Sequence, residues 1–97
     1  MKTPNRPQLT PYQMGEQLKI LEITAPAQAQ MPLHYATSDA VVMVQKGKAV
    51  LQIDGQEHIL VVGTCLLIPA QKLHALQIVE DFHAFAVMTQ QASIEFD

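Results

Sequence analysis

The chain has 97 residues, of which 48% are hydrophobic and 15% are charged. This length allows one small domain and excludes a two-domain enzyme, and the composition is too apolar for an intrinsically disordered chain. Six basic residues, scattered along the sequence, and nine acidic ones give a net charge of −3, so we expect no nucleic-acid partner.

The first 16 residues are predicted to form an arm ahead of the main domain. Pro4, Pro7 and Pro11 alternate with polar residues in this segment, and proline is unfavourable in helices and in the interior of sheets. We interpret residues 1–16 as a tail or an edge arm, followed by a domain of residues 17–97.

From Gln17 onward the sequence is typical of short β-strands. Stretches rich in Val, Ile and Leu are interrupted every 8 to 12 residues, and none shows a sustained helical period. Turns are predicted at residues 46–48, 54–55 and 80–81, and Pro69 ends one strand. The chain is therefore predicted to be all-β, a sandwich or small barrel, with strands at 18–24, 33–35, 40–45, 49–53, 58–62, 65–68, 75–79 and 83–89.

Two segments resemble the two sequence motifs of the cupin superfamily. In the second motif, Gly63 is followed after five residues by Pro69 and then by His74, and in the first motif His34 and Gly47 have the family spacing. This resemblance, over residues 28–78, implies a single-domain double-stranded β-helix, a jelly-roll-like barrel. The positions that depart from the motifs are Gln28 and Gln71 in place of glycines, Ala36 in place of histidine, Ala40 in place of glutamate and Ile78 in place of asparagine.

The resemblance also implies a metal site that has lost half of its ligands. Family members that bind a metal usually use two histidines, a glutamate and a later histidine, and only His34 and His74 match those positions. Because a catalytic transition-metal site generally needs three or four protein donors, we expect no cofactor, or Zn, Fe, Mn or Ni bound weakly. The candidates for a third ligand are His83, Asp39, Gln71 and Cys65.

Among these candidates, His83 depends on how the chain turns. A tight reversal at Glu80 and Asp81 would bring His83 to the same face as His74, so His34, His74 and His83 are the metal ligands if a metal binds. Asp39 is adjacent to Ala40, so its side chain is expected on the opposite face of the strand and would need a β-bulge to face the site.

Strand alternation from the two histidines predicts a pocket inside the barrel. Alanines where the family has histidine and glutamate leave this interior larger and more apolar, which suits a small apolar or weakly polar ligand. Met31, Met43 and Met88 could line it, although methionines in a small core are ordinary packing. The predicted lining is His34, Ala36, Ala40, Val42, His74, Leu76 and Ile78.

Three functions remain open from the sequence. The first is a small-molecule-binding cupin without an intact metal site. The second is a metal-dependent cupin enzyme of the dioxygenase, isomerase or decarboxylase type, using His34, His74 and an unusual third ligand. The third is a structural or regulatory dimer module. No catalytic residue can be assigned for any of them.

The sequence also predicts the cellular location, the state of the cysteine and the oligomeric state. No apolar run approaches the ~20 residues that cross a bilayer, and residues 1–17 contain no hydrophobic signal core, so we expect a soluble cytoplasmic protein without a membrane partner. Cys65 is the single cysteine and is predicted to be a buried, inert thiol. A homodimer is expected, because a barrel of this size buries only about 60–65% of its unfolded surface and leaves strand edges exposed.

Overall fold

Strands rich in branched apolar residues make up the whole architecture, as the sequence predicts. The structure, a computed structural model, describes residues 7–97. Within this range there is no helix, and therefore no helix that is long and apolar enough to cross a membrane. The all-β prediction is confirmed, and the strands are β1 (Gln8–Met14), β2 (Leu18–Ala25), β3 (Gln30–Ala36), β4 (Ala40–Ile53), β5 (Gln56–Val61), β6 (Cys65–Ile68), β7 (His74–Thr89) and β8 (Ile94–Phe96).

Two of the predicted turns are wrong, because the chain continues through them as strand. The segments on either side of Gly47 join into β4, and those on either side of Glu80 and Asp81 join into β7. The two long strands pair antiparallel with each other, with shifts of register around Gly47. Gly47 has a φ of +86°, and a side chain there would overlap the carbonyl oxygen of Asp81. The glycine therefore marks a β-bulge at a close strand crossing rather than a hairpin.

The two long strands divide the sheet into two layers. In the first layer, residues 40–46 of β4 and 83–89 of β7 pair with each other and with β6 and β2, and β1 pairs with β2. In the second layer, residues 48–53 of β4 and 74–80 of β7 pair with each other and with β5 and β3, and β8 pairs with β3. Side chains from both layers enclose the core and a cavity between them.

The described part of the predicted arm is the edge strand of the first layer. Residues 8–14 form β1, which pairs antiparallel with β2 and has a bulge after Pro11. An edge strand or a bulge tolerates proline, because the missing N–H removes no hydrogen bond from the interior of the sheet. Pro4 and the rest of residues 1–6 lie outside the described residues.

Candidate functional site

A pair of buried histidines lies side by side at the cavity. His34 on β3 and His74 on β7 are direct partners in the antiparallel register. Their side chains are buried, and the ring centroids are 4.1 Å apart at an interplanar angle of 60°. The neighbouring strand β8 closes this side of the cavity, and its Phe96 ring lies 5.4 Å from the ring of His34.

Hydrogen bonds to the backbone select one tautomer of both imidazoles. The Nδ1–H of His34 donates to the carbonyl oxygen of Pro32 at 2.7 Å, and that of His74 donates to the carbonyl oxygen of Lys72 at 2.8 Å. A neutral ring that donates from Nδ1 keeps an acceptor lone pair on Nε2. Neither Nε2 has a partner in residues 7–97, and no polar side-chain atom there is both fully buried and unpaired, so both acceptors remain accessible on histidines that line the cavity.

Burial keeps these two imidazoles neutral near pH 7. Desolvation lowers the pKa of His34 below its ordinary value of 6.5, the hydrogen bond to Pro32 opposes that shift, and repulsion from His74 adds to it. Desolvation likewise lowers the pKa of His74, against a smaller opposing effect of the bond to Lys72. The site therefore presents two uncharged hydrogen-bond acceptors.

The cavity beside the histidines is small and almost entirely apolar. Its volume is about 60 Å³, and the two imidazoles are its polar side chains. Six of the seven predicted lining residues contribute to it, whereas Ile78 is fully buried in the adjacent core. Of the ten other wall residues, only Met31 and Met88 were candidates from the sequence. The ten are Leu9, Ile23, Met31, Leu51, Leu60, Ile68, Phe82, Ala86, Met88 and Ile94.

His83 lies away from the histidine pair. Because β7 does not reverse at residues 80–81, alternation places His83 on the opposite face from His74. Its Nε2–H donates to a carboxylate oxygen of Glu22 at 2.8 Å on the outer surface of the first layer. The ring also packs edge-on against Phe85, with centroids 5.1 Å apart.

The other candidate ligands have structural contacts of their own. The carboxylate of Asp39 accepts a hydrogen bond from the backbone N–H of Ala70 at 2.9 Å. Cys65 is exposed on β6, so its predicted burial is wrong, since it faces the opposite side of that strand from the buried Ile68. Across residues 7–97, no group of three His, Cys, Asp or Glu side chains could hold a metal ion.

Two departures from the motif glycines keep the backbone conformation of glycine. Gln28 has a φ of +77° and Gln71 a φ of +65°, both in the left-handed region that glycine adopts most easily. The N–H of Gln28 donates to the carbonyl oxygen of Ile78, and that of Gln71 donates to that of Ala36. The two turns therefore still tie β3 to its neighbours, although neither residue is glycine.

Comparisons with known proteins agree with this architecture. The family model described as a cupin domain matches residues 20–89. No curated protein matches the sequence. Among solved structures, a cupin superfamily protein from Desulfitobacterium hafniense is 19% identical, with a TM-score of 0.79 over 92% of this chain and 82% of that one.

Two enzymes share the fold over part of their length. The DMSP lyase DddQ from Ruegeria pomeroyi is 16% identical, with a TM-score of 0.85 over 94% of this chain and 51% of that one. Salicylate 1,2-dioxygenase from Pseudaminobacter salicylatoxidans is 16% identical, with a TM-score of 0.82 over 96% of this chain and 31% of that one. At these identities the likeness establishes the fold alone, and the predicted double-stranded β-helix is confirmed.

Proposed function

This chain belongs to the cupin domain family, and from that premise we propose that it binds a small, mostly apolar molecule between its two layers. The molecule carries a hydrogen-bond donor, such as a hydroxyl group, which donates to the Nε2 atom of His34 or of His74. The observation that carries this proposal is the pairing of two neutral, unpartnered acceptors with an otherwise apolar cavity. A ligand that donates to one of these acceptors adds a hydrogen bond to the burial of its own apolar surface.

The size of the cavity limits the ligand. At about 60 Å³ it holds more than one water molecule, yet it is smaller than the ~150 Å³ apolar cavities that admit benzene. A ligand of a few non-hydrogen atoms, or the end of a longer molecule, fits without displacement of the wall. For a four-atom alcohol, a ceiling of about 1.5 kcal/mol per atom puts the dissociation constant no tighter than tens of micromolar.

The donor set does not fit the metal of the family. His34 and His74 supply two imidazoles, and Ala36 and Ala40 have no donor atoms where the resemblance places a histidine and a glutamate. No third ligand completes the site within the described chain, and residues 1–6 contain no His, Cys, Asp or Glu. The backbone bonds of Nδ1 do resemble those that orient metal-binding histidines, so metal content belongs in the test of the proposal.

Nuclear magnetic resonance of ¹⁵N-histidine-labelled protein tests the binding directly. We expect His34 and His74 to show the Nδ1–H tautomer at pH 7.5, and 1-propanol to shift their Nε2 signals. The hydroxyl of 1-propanol donates to one Nε2 atom at a time, in a hydrogen bond worth about 1 kcal/mol, so the double variant His34→Ala/His74→Ala should lower the affinity for 1-propanol about fivefold and either single variant should lower it by less. Ala40→Leu should abolish binding by filling the cavity, while His58→Ala, outside the cavity lining, should leave the affinity unchanged.

Two results would contradict the proposal. One is the absence of any shift at His34 and His74 with 1-propanol, in protein that circular dichroism shows to be folded. The other is near-stoichiometric Fe, Mn, Ni or Zn in untagged protein that both histidine substitutions remove. That second result would favour the alternative of a metal-dependent cupin enzyme.

A further inference from the structure

The order of the strands leaves one side of the protein open. β1 is the edge strand of the first layer and pairs with β2, whereas β8 is the edge strand of the second layer and pairs with β3. Within residues 7–97, no backbone pairing joins these two edges. A groove of about 290 Å³, called the side groove, lies between β1 and the pair of β3 and β8; its lining consists of Pro7, Leu9, Gln30, Met31, Pro32 and Phe96.

The side groove is continuous with the cavity of the histidine pair. Leu9 from β1 and Met31 from β3 line both spaces, so the cavity and the groove meet at these two side chains. Phe96 in the wall of the groove also packs its ring 5.4 Å from that of His34. Methionine is unbranched and changes its side-chain conformation easily. The boundary between the two spaces can therefore open without a movement of the backbone.

The lining of the side groove is apolar and carries no charged residue. Its polar member is Gln30, whose side-chain amide donates to that of Gln77 at 3.2 Å. Phe96 is 56% exposed, so an aromatic ring on the wall of this groove is left in contact with water. Apolar surface exposed in a concave site favours a ligand that covers it. The side groove therefore suits an uncharged hydrocarbon segment.

Two other grooves each lack one of these properties. The groove near Gly15 has an apolar lining, but it shares no residue with the cavity. The groove at the turn after β4 is lined by the carboxylates of Asp54 and Glu57. The combination of an apolar lining with continuity to the histidine cavity distinguishes the side groove from both of them.

We propose that the ligand of the histidine pair is a linear aliphatic alcohol whose hydrocarbon tail lies in the side groove. This inference rests on the proposed function, because it places the hydroxyl group at His34 or His74 and the first carbons in the cavity. At about 60 Å³ the cavity holds only those first carbons, so the rest of a longer chain leaves it past Leu9 and Met31. An unbranched chain is narrow enough for this path, whereas a ring such as benzene needs an apolar cavity of ~150 Å³.

The affinity for alcohols should therefore keep rising after the cavity is full. Each methylene group transferred from water to fully apolar surroundings tightens binding about fourfold, and in an open groove that covers about half of its surface the gain is about twofold. 1-Octanol has five more carbons than 1-propanol, so it should bind about 30-fold more tightly. A cavity without the side groove would instead give an affinity that stops rising near 1-butanol.

Fluorine nuclear magnetic resonance tests where the tail lies, because each of the three phenylalanines of the chain reports on a different place. Phe82 lines the cavity, Phe96 lines the side groove, and Phe85 packs against Tyr12 outside both. In protein labelled with 4-fluorophenylalanine, 1-propanol should shift the signal of Phe82. 1-Octanol should shift the signals of Phe82 and Phe96 with one dissociation constant and leave that of Phe85 in place. Cyclohexanol should bind more weakly than 1-hexanol.

A substitution that fills the side groove tests the same assignment by affinity. Gln30→Trp should lower the ratio of the affinities for 1-octanol and 1-propanol from about 30 to below about 5. Gln52→Trp is the matched control, because Gln52 is also an exposed strand residue with a cross-strand partner, Glu57, and lines neither the cavity nor the side groove. Phe96→Asp, which should also lower the ratio, is the second variant should circular dichroism show that Gln30→Trp is unfolded.

Failure of this inference and failure of the proposed function give different results. If 1-propanol shifts the signals of the histidine pair but 1-octanol binds no more tightly than 1-butanol, or leaves the signal of Phe96 unchanged, the tail assignment is overturned and the proposed function stands. If no alcohol shifts the signals of Phe82 or of the histidine pair, both are overturned. Equal shifts at Phe85 and Phe96 would indicate adsorption to any apolar surface and would overturn the tail assignment. A gain with chain length that appears only after deletion of residues 1–6 would assign the side groove to that segment instead.

Discussion

Replacement of Gly47 by alanine should destabilise the protein far more than the same change at Gly63. Both glycines have left-handed backbones, with φ values of +86° and +93°, so an alanine costs about 1–2 kcal/mol in conformation at either position. At Gly63 nothing lies within 4 Å of the added Cβ, and that conformational cost is the whole effect. At Gly47 the Cβ overlaps the backbone of Glu80 and Asp81, which cannot rotate away as a side chain can.

The overlap at Gly47 has a structural consequence that sets the magnitude. Relief requires β4 and β7 to separate where they cross between the two layers, and these strands make the central pairing of the fold. We expect Gly47→Ala to lose at least about 3 kcal/mol beyond the conformational cost, in the range of other disrupted cores, out of about 5–15 kcal/mol in total. Gly63→Ala should lose only about 1–2 kcal/mol.

Urea unfolding followed by circular dichroism measures the free energy of unfolding of both variants. An unchanged m-value shows that both expose the same surface on unfolding as the wild type, so their free energies can be compared. Equal losses for Gly47→Ala and Gly63→Ala would refute the close crossing of the two long strands. That result would favour the hairpin that local sequence chemistry suggests at residues 46–48.

Two further predictions concern the histidine pair and the turns. Because the pKa values of His34 and His74 are lowered from 6.5, the unfolded chain takes up protons that the native state excludes, and the free energy of unfolding should fall as pH drops below about 6.5. The slope is at most about 1.4 kcal/mol per pH unit for each histidine and should flatten below their native pKa; a double alanine variant with the same slope in urea titrations would contradict the assignment. Gln28→Gly and Gln71→Gly should each stabilise the protein by about 0.5–1 kcal/mol, since the relief of left-handed strain exceeds the extra chain entropy of glycine. Gln77→Gly, inside β7, should destabilise the protein. Thermal melts measure all three changes, and a loss of stability at all three positions would count against the turn geometry.

The positions of β2 to β7 could be predicted from the sequence, but the edge strands β1 and β8 and the continuity of the longest two strands could not. Gly47 between two lysines, and the adjacent acidic residues Glu80 and Asp81, have the chemistry of surface turns. In the folded chain Gly47 lies at a bulge of β4, and Glu80 and Asp81 lie within β7, where the carboxylate of Asp81 accepts a hydrogen bond from the N–H of Ala27 at 2.8 Å. A turn and a bulge use the same residue types, and only the long-range pairing of β4 with β7 distinguishes them.

Bulges also explain why part of the cavity wall could not be predicted. Before Gly47, even-numbered residues of β4 such as Ala40 face inward, whereas after it odd-numbered residues such as Leu51 do. A register shift between Met31 and His34 changes the alternation of β3 in the same way. Counting by twos from the histidines fails at each shift. Ile94 was missed for another reason, because the three residues of β8 are too few to show a strand pattern.

In this chain the motif positions that shape the backbone keep their conformation, whereas two of the motif positions that supply metal ligands have lost their donor atoms. A turn that glycine favours can still form with glutamine, at a cost of about 1–2 kcal/mol, and the left-handed Gln28 and Gln71 show that this chain retains both turns. A metal ligand has no such substitute, because the methyl groups of Ala36 and Ala40 have no lone pair to donate. The backbone that brings β3 and β7 into register is therefore preserved, and it still places His34 opposite His74. The site of this chain is a pair of hydrogen-bond acceptors beside an apolar cavity, and this combination supports the proposal that a small donor molecule binds there.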